Sequence, residues 1–186
     1  MEILAILLAI AIGFSLFAVS IYNSLVALRN KAEESWSDID TQLKRRFDLI
    51  PNIIETVKGY ASHEKSTFEN VTKARTMAMN ASTVKEKESA DNMLSGALKS
   101  LFAVSENYPD LKANQNFMQL QNTLKEIEEH IQLSRRYYNA TVRDLNTKIE
   151  TFPANIVANM FKFEKKDFFE IKDQAERENV KVDFSK

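Results

Sequence analysis

The chain has 186 residues, and its 25 lysines and arginines nearly balance its 26 aspartates and glutamates. A net charge of −1 gives no basic field that would attract nucleic acid, so nucleic-acid binding is not expected. Cysteine is absent, which excludes disulfides and a thiol-linked lipid anchor, and the scarcity of glycine and proline favours helix.

The first predicted element is an uncharged run from Ile3 to Leu28. Residues 3–22 alone would span about 30 Å as a helix, which is the thickness of a hydrocarbon core. The run lacks the basic start and the small-residue cleavage site of a secretory signal, so residues 1–28 are predicted to be a retained anchor that contacts the lipid bilayer through residues 3–22. Lysine and arginine appear only after the run, from Arg29 onward, which predicts an N-terminus outside and a cytoplasmic domain.

Four amphipathic segments follow the anchor. The first apolar stripe runs from Leu25 to Ile50 and begins inside the anchor, so the spanning helix should continue into the cytoplasm; Pro51 then predicts a kink or turn. A second stripe covers residues 54–78. A capping box at Thr83 and Glu86 opens a third helix, and the fourth and most regular stripe covers residues 111–150, with Asp110 as its expected cap.

Short connections between amphipathic helices favour antiparallel neighbours. The sequence therefore predicts an all-α fold, with an up-and-down antiparallel four-helix bundle over residues 29–152 and with Trp36 and Phe47 in its core. A long coiled-coil rod is the alternative, and it is less favoured because Pro51 interrupts the stripes and the third helix is short.

Catalytic and metal-binding motifs are incomplete. His63-Glu64 begins like a zinc-protease motif, but position 67 is threonine. His130 lacks the Glu-x-x-His spacing of di-iron bundles, because position 127 is isoleucine. The sequence therefore predicts no catalytic residue, no cofactor and no metal, and an enzyme built on these histidines is the least favoured interpretation.

The tetrad from Arg135 to Tyr138 has two interpretations. Tyr138 falls on the apolar stripe, which favours a buried tyrosine with arginines paired to acids on a neighbouring helix. The alternative is a partner surface made of Arg135, Arg136 and Tyr137, residue types enriched at binding hot spots. The structural interpretation is favoured.

Residues 153–186 are predicted to form a short amphipathic helix and a charged tail. Five apolar residues share one helical face, and lysines follow at positions 162, 165 and 166: Phe152, Ile156, Val157, Met160 and Phe161. An up-and-down bundle would return this face to the membrane, where it could form an interfacial helix. The alternative, which is favoured, is that it caps the bundle core.

Single aromatic residues are spaced along the charged tail. They are expected either to dock along the bundle or to contact a partner: Phe163, Phe168, Phe169 and Phe184.

Nine stretches together resemble the LemA family of bacterial membrane proteins: Tyr22–Leu25, Trp36–Asp40, Gln42–Asn52, Val57–Tyr60, His63-Glu64, Ser134–Asn139, Arg143–Asn146, Phe152–Asn155 and Val182–Phe184. The resemblance implies one N-terminal span, a helical bundle and a bacterial cell membrane location. It implies no catalytic residue, because the role of the family is poorly defined.

These observations predict a non-catalytic interaction module or scaffold at the inner membrane, with an unidentified protein partner. The alternative is a homo-oligomer whose self-assembly organises the membrane.

Overall fold

The computed structural model describes residues 1–170, which form helices and connecting segments without a strand. Six helices follow in order: α1 (Glu2–Lys58), α2 (Lys65–Asn80), α3 (Val84–Ser105), α4 (Pro109–Lys112), α5 (Gln115–Glu150) and α6 (Ala154–Met160). The all-α class is confirmed. The four-helix bundle is not confirmed, because the described residues form six helices. These pack mainly as two pairs, α1 with α5 and α2 with α3.

Helix α1 is continuous through Pro51, so a turn at this position, one of the two predicted possibilities, is wrong. A proline at this position deprives the carbonyl of Phe47 of its usual helical donor. In the structure Arg75 of α2 supplies the replacement, because its Nε donates to the Phe47 carbonyl at 2.8 Å. Pro51 itself is exposed.

The core has two parts. In one, the α1 segment from Ile21 to Leu43 packs against α5 and α6. In the other, the end of α1 packs against α2, α3, α4 and the start of α5. Trp36 and Phe47, expected in the core, are only partly buried and lie at its edge.

Helix ends follow local capping rules. The predicted box is confirmed at α3, where the side chain of Thr83 accepts from the Glu86 amide and Glu86 accepts from the Thr83 amide in return. The predicted cap of α5 is corrected. Asp110 lies in the short helix α4, and Asn114 caps α5 by accepting from the amide of Phe117 at 3.0 Å.

After α6 the chain reverses direction at Lys162, which has a left-handed φ of 55°. The amide of Phe163 then donates to the carbonyl of Ala158 at 2.9 Å, as in a Schellman cap. Residues 163–170, here called the strap, run along α1 and α5 away from the apolar end of α1. Phe184, expected to dock or to meet a partner, lies outside the described residues.

Candidate membrane contact and interaction surfaces

Four exposed apolar side chains surround α6. Together they form what is here called the juxtamembrane patch: Phe152, Ile156, Met160 and Phe161. Phe152 and Met160 are 76% and 70% exposed. The opposite side of α6 packs on the α1/α5 core through Ala154, Val157 and Ala158. The predicted five-residue face is therefore corrected at Val157, because that side chain is buried.

The patch lies where the apolar run of α1 ends. The ring centroids of Phe161 and Tyr22 are 4.7 Å apart. On the N-terminal side of Tyr22, the apolar side chains of α1 are exposed for five turns, and this helix is long and apolar enough to cross a membrane. The exposed apolar surfaces of α1 and α6 are therefore continuous.

Two of the three lysines after α6 are used in ion pairs. Lys165 pairs with Glu150, and Lys166 pairs with Glu33 at 3.2 Å. Lys162 is exposed beside the patch. Hence the basic character of this region is smaller than the sequence suggests.

A buried charge cluster joins α1, α3 and α5. Asp91 of α3 accepts from Arg46 Nη1 at 2.8 Å through one oxygen, and from Arg135 through the other. Arg46 also donates to Ser95 at 2.8 Å and pairs with Glu128 at 3.1 Å. All three members of the central triad are nearly inaccessible to water, with side-chain exposures of 3% for Arg46 and Asp91 and 7% for Arg135.

The structure separates the residues of the predicted partner surface. Arg135 is buried against Asp91 and lies 4.7 Å from the ring of Phe169, which is itself 1% exposed. The alternative of a partner contact is therefore wrong for both residues: Arg135 pairs with an acid of a neighbouring helix, as the favoured interpretation predicts, and Phe169 docks along the helices. Arg136 and Tyr137 face outward, and the Nζ of Lys31 lies 5.7 Å from the centroid of the Tyr137 ring. Phe168 is 40% exposed.

Two asparagines of α5 hold the strap. Asn146 accepts from the Lys166 amide and donates to its carbonyl, at 3.0 and 2.9 Å. Asn139 makes the same pair with the backbone of Phe169, both at 2.9 Å. Both asparagines occur in the stretches used above for the family resemblance, but no strap-binding role was predicted for them. The available signal was their separation of seven residues, which places them on one helix face.

Tyr138 completes the strap contact. Its hydroxyl donates to the carbonyl of Asp167 at 2.9 Å, and its ring packs on Trp36. Burial raises the pKa of this hydroxyl to about 12, and the nearby Asp167 carboxylate contributes in the same direction. Tyr138 is therefore a neutral donor at physiological pH.

The histidine-containing positions do not converge. His63 is exposed in the connection after α1, Glu64 accepts from Tyr108 at 3.5 Å, and His130 is exposed on α5. Within residues 1–170, no group of three or more histidine, cysteine, aspartate or glutamate side chains is placed to hold a metal ion.

Known proteins with similar sequences fall into two groups. Protein LemA of Metamycoplasma hominis is 30% identical over 187 residues, covering 98% of this chain and 82% of that protein. Magnetosome protein MamQ 2 of Paramagnetospirillum magneticum is 24% identical, covering 81% of this chain and 65% of that protein. MamQ of Magnetospirillum gryphiswaldense is 21% identical, with 80% and 64% covered. The chain thus spans slightly less than two thirds of the MamQ proteins.

The family model agrees with the first of these relatives. The model of the LemA family matches residues 35–184, which include the charge cluster, both strap-binding asparagines and α6. With this match and the 30% identical LemA protein, the chain belongs to the LemA family.

Proposed function

We propose that this protein is a single-span membrane protein whose helical domain, residues 29–170, works as a non-catalytic interaction module or scaffold at the inner membrane of a bacterium. The N-terminus lies outside and the domain in the cytoplasm, because lysine and arginine flank the span only on its C-terminal side. The domain recruits a protein partner.

The observation that carries this proposal is the continuity of α1. The same helix supplies the exposed apolar span and one half of the α1/α5 pair. From Tyr22 to Lys58 it rises about 54 Å, so a partner bound to the domain is held at a defined height above the bilayer. The names of the LemA and MamQ relatives describe no reaction, which agrees with a role without catalysis.

The outer surface of α5 is the proposed contact with that partner. Leu133 and Tyr137 are 58% and 49% exposed and lie one turn apart, with Arg136 beside them. Arginine and tyrosine are enriched at interface hot spots, and the exposed leucine adds apolar contact area beside them.

Photo-crosslinking in intact cells tests the proposal. A photoreactive phenylalanine analogue replaces Tyr137 in one variant and Leu133 in another, and mass spectrometry identifies the adducts. As a control, the same analogue at Leu8 lies in the span, where we expect lipid adducts. A discrete foreign protein captured at both α5 positions supports the proposal.

Two results would count against it. Adducts only between copies of this protein favour self-assembly that organises the membrane. Absence of any protein adduct at the α5 positions, with lipid adducts retained at Leu8, removes this surface and the scaffold role assigned to it.

A further inference from the structure

A cleft of about 470 Å³ lies between α3 and α5, on the side of α5 away from Leu133 and Tyr137. Arg46 and Arg135 of the charge cluster line it, together with Lys125, and Asp91 and Glu128 provide the opposing charge. Apolar side chains line the other part: Leu98, Phe102 and Leu124. The cleft is thus amphipathic, and these five charged groups carry a cationic excess.

The two buried arginines have hydrogen-bonding capacity left over. Both oxygens of Asp91 are engaged, one by each arginine, yet Arg46 Nε and Arg135 Nε have no acceptor within residues 1–170. A buried guanidinium N–H without an acceptor is costly, about 1–3 kcal/mol. The uncompensated positive charge of these arginines, together with Lys125, favours an anionic ligand in the cleft.

The strap shows how this face of α5 holds extended backbone. Asn146 and Asn139 lie seven residues apart and pair with Lys166 and Phe169, which lie three residues apart. Seven helical residues rise about 10.5 Å, and three extended residues cover about 10 Å, so the two repeats remain in register.

The same register continues into the cleft. Seven residues before Asn139 on α5 stands Gln132, which carries the same carboxamide group and lines the cleft; seven residues earlier again stands Lys125. The strap ends beside residues near the cleft: Phe169 lies against Arg135, which lines the cleft, and the Glu170 amide donates at 3.3 Å to Glu88, three residues before Asp91 on α3. The lined part of α5, residues 121–135, is about 21 Å long and matches six extended residues.

We propose that this cleft binds an acidic segment of a partner protein in extended conformation. Gln132 pairs with the backbone of the segment as Asn139 pairs with the strap, a carboxylate of the segment pairs with the exposed Lys125, and its apolar residues contact Leu98 and Phe102. This inference rests on the proposed interaction role and names the partner chemistry. The chain's own residues 171–186 carry as many basic as acidic side chains, so they complement a cationic cleft less well than an acidic segment does.

A peptide-binding measurement on the full chain in lipid nanodiscs tests the proposal. The probe is a fluorescent synthetic octapeptide of alternating aspartate and leucine, and a lysine–leucine octapeptide is its charge control. We expect saturable binding of the acidic peptide only. Lys125→Glu and Gln132→Ala should each weaken it about tenfold or more. Arg143→Glu, a charge reversal at an exposed position of the same helix outside the cleft, should leave it unchanged.

A variant that ends at Glu170 tests whether the chain's own residues 171–186, rather than a partner segment, occupy the cleft. Equal binding of the acidic peptide to this variant and to the full chain supports the proposal. Binding only to the shortened variant assigns the cleft to the chain's own C-terminal residues and overturns it. Absence of saturable binding to both, or binding that Lys125→Glu and Gln132→Ala leave unchanged, overturns it as well. The crosslinking experiment at Tyr137 tests the scaffold proposal independently of peptide binding. A negative peptide result would therefore overturn the cleft proposal without overturning the scaffold proposal.

Discussion

At the residue scale, Asp91 connects three helices through one carboxylate. Each oxygen accepts from a different arginine, Arg46 of α1 and Arg135 of α5, and Asp91 itself lies on α3. Charges this deeply buried are stable only while they remain paired, because each has lost its hydration. The main contribution of the carboxylate to stability is therefore that it keeps two buried arginines from being unpaired; its own net attraction to them contributes less.

Asp91→Asn tests this dependence. The amide keeps the shape of the side chain but removes the charge that balances Arg46 and Arg135, so we expect the free energy of unfolding to fall by about 3 kcal/mol. Urea denaturation in detergent, followed by circular dichroism, measures the loss. Asp110→Asn, at an exposed aspartate of α4, is the matched control, and equal effects of the two substitutions would contradict the assignment.

The strap-binding asparagines give a second test at this scale. Asn139→Leu preserves the size of the side chain but leaves the amide and carbonyl of Phe169 without their partners, and we expect a loss of about 2 kcal/mol. The protein has one tryptophan, and Trp36 lies 5.8 Å from the Phe169 ring, so its fluorescence reports release of the strap directly. Asn122→Leu, at an exposed asparagine of α5, should change neither signal. An unchanged Trp36 spectrum in Asn139→Leu would show that the strap does not depend on this clamp.

At the scale of elements, α1 demonstrates that a proline inside a helix can be compensated by a side chain from another helix. Pro51 cannot donate to the Phe47 carbonyl, and Arg75 of α2 donates instead at 2.8 Å. The compensation also fixes α2 against α1, because a guanidinium on one helix then bonds the backbone of the other. Helix continuity and helix packing are therefore coupled at this position.

A double-mutant cycle measures that coupling. Arg75→Met should lower the free energy of unfolding by about 1 kcal/mol, because it leaves the Phe47 carbonyl without a donor. In a Pro51→Ala background the same substitution should cost less, since the alanine amide supplies the donor. Urea denaturation of the four proteins yields the coupling energy, and additive effects would exclude this explanation of the unbroken helix.

The capping box of α3 predicts a dependence on pH. Backbone hydrogen bonds from Ser82 and Thr83 lower the pKa of Glu86 from 4.5 to about 2. A carboxyl with a lowered folded-state pKa contributes stability that is present above its unfolded pKa and is lost as the pH falls toward its folded value. Between pH 4.5 and 2, Glu86→Gln should therefore flatten the pH dependence of the unfolding free energy. Glu106→Gln, at an exposed position after α3, is the control that should not flatten it.

Sequence reasoning succeeded for elements whose cause is local. The stripe of α5 and the box at Thr83 depend on residues within one or two turns, and both are confirmed. It failed at Pro51, because the compensating Arg75 is 28 residues from the carbonyl that it bonds. It missed the two asparagines, because their partner is an extended segment without periodicity. The favoured interpretation of Arg135, an arginine paired to an acid of a neighbouring helix, agrees with the structure, whereas its contact with the ring of Phe169 was not predicted.

At the scale of the whole molecule, the apolar span and α6 present one continuous exposed apolar surface. The patch residues Phe152, Ile156 and Met160 face away from the core, and Phe161 packs beside Tyr22 at the end of the span. Removing an aliphatic or aromatic side chain from water contributes about 1.5–3 kcal/mol, so this surface favours contact with the bilayer by several kcal/mol. Contact at two places would restrain the tilt of the long α1/α5 pair, because α6 packs on both helices.

Depth measurement with a spin label tests this second contact. The chain has no cysteine, so Ile156→Cys provides a single attachment site in the full protein reconstituted into liposomes. We expect the label to be accessible to oxygen and protected from a water-soluble nickel reagent, as for a site in the acyl boundary. His63→Cys lies in the connection after Lys58, the end of α1 that is about 54 Å from Tyr22, and should show the opposite pattern. If the two labels are equally accessible to the nickel reagent, α6 stands clear of the bilayer and the second contact is ruled out.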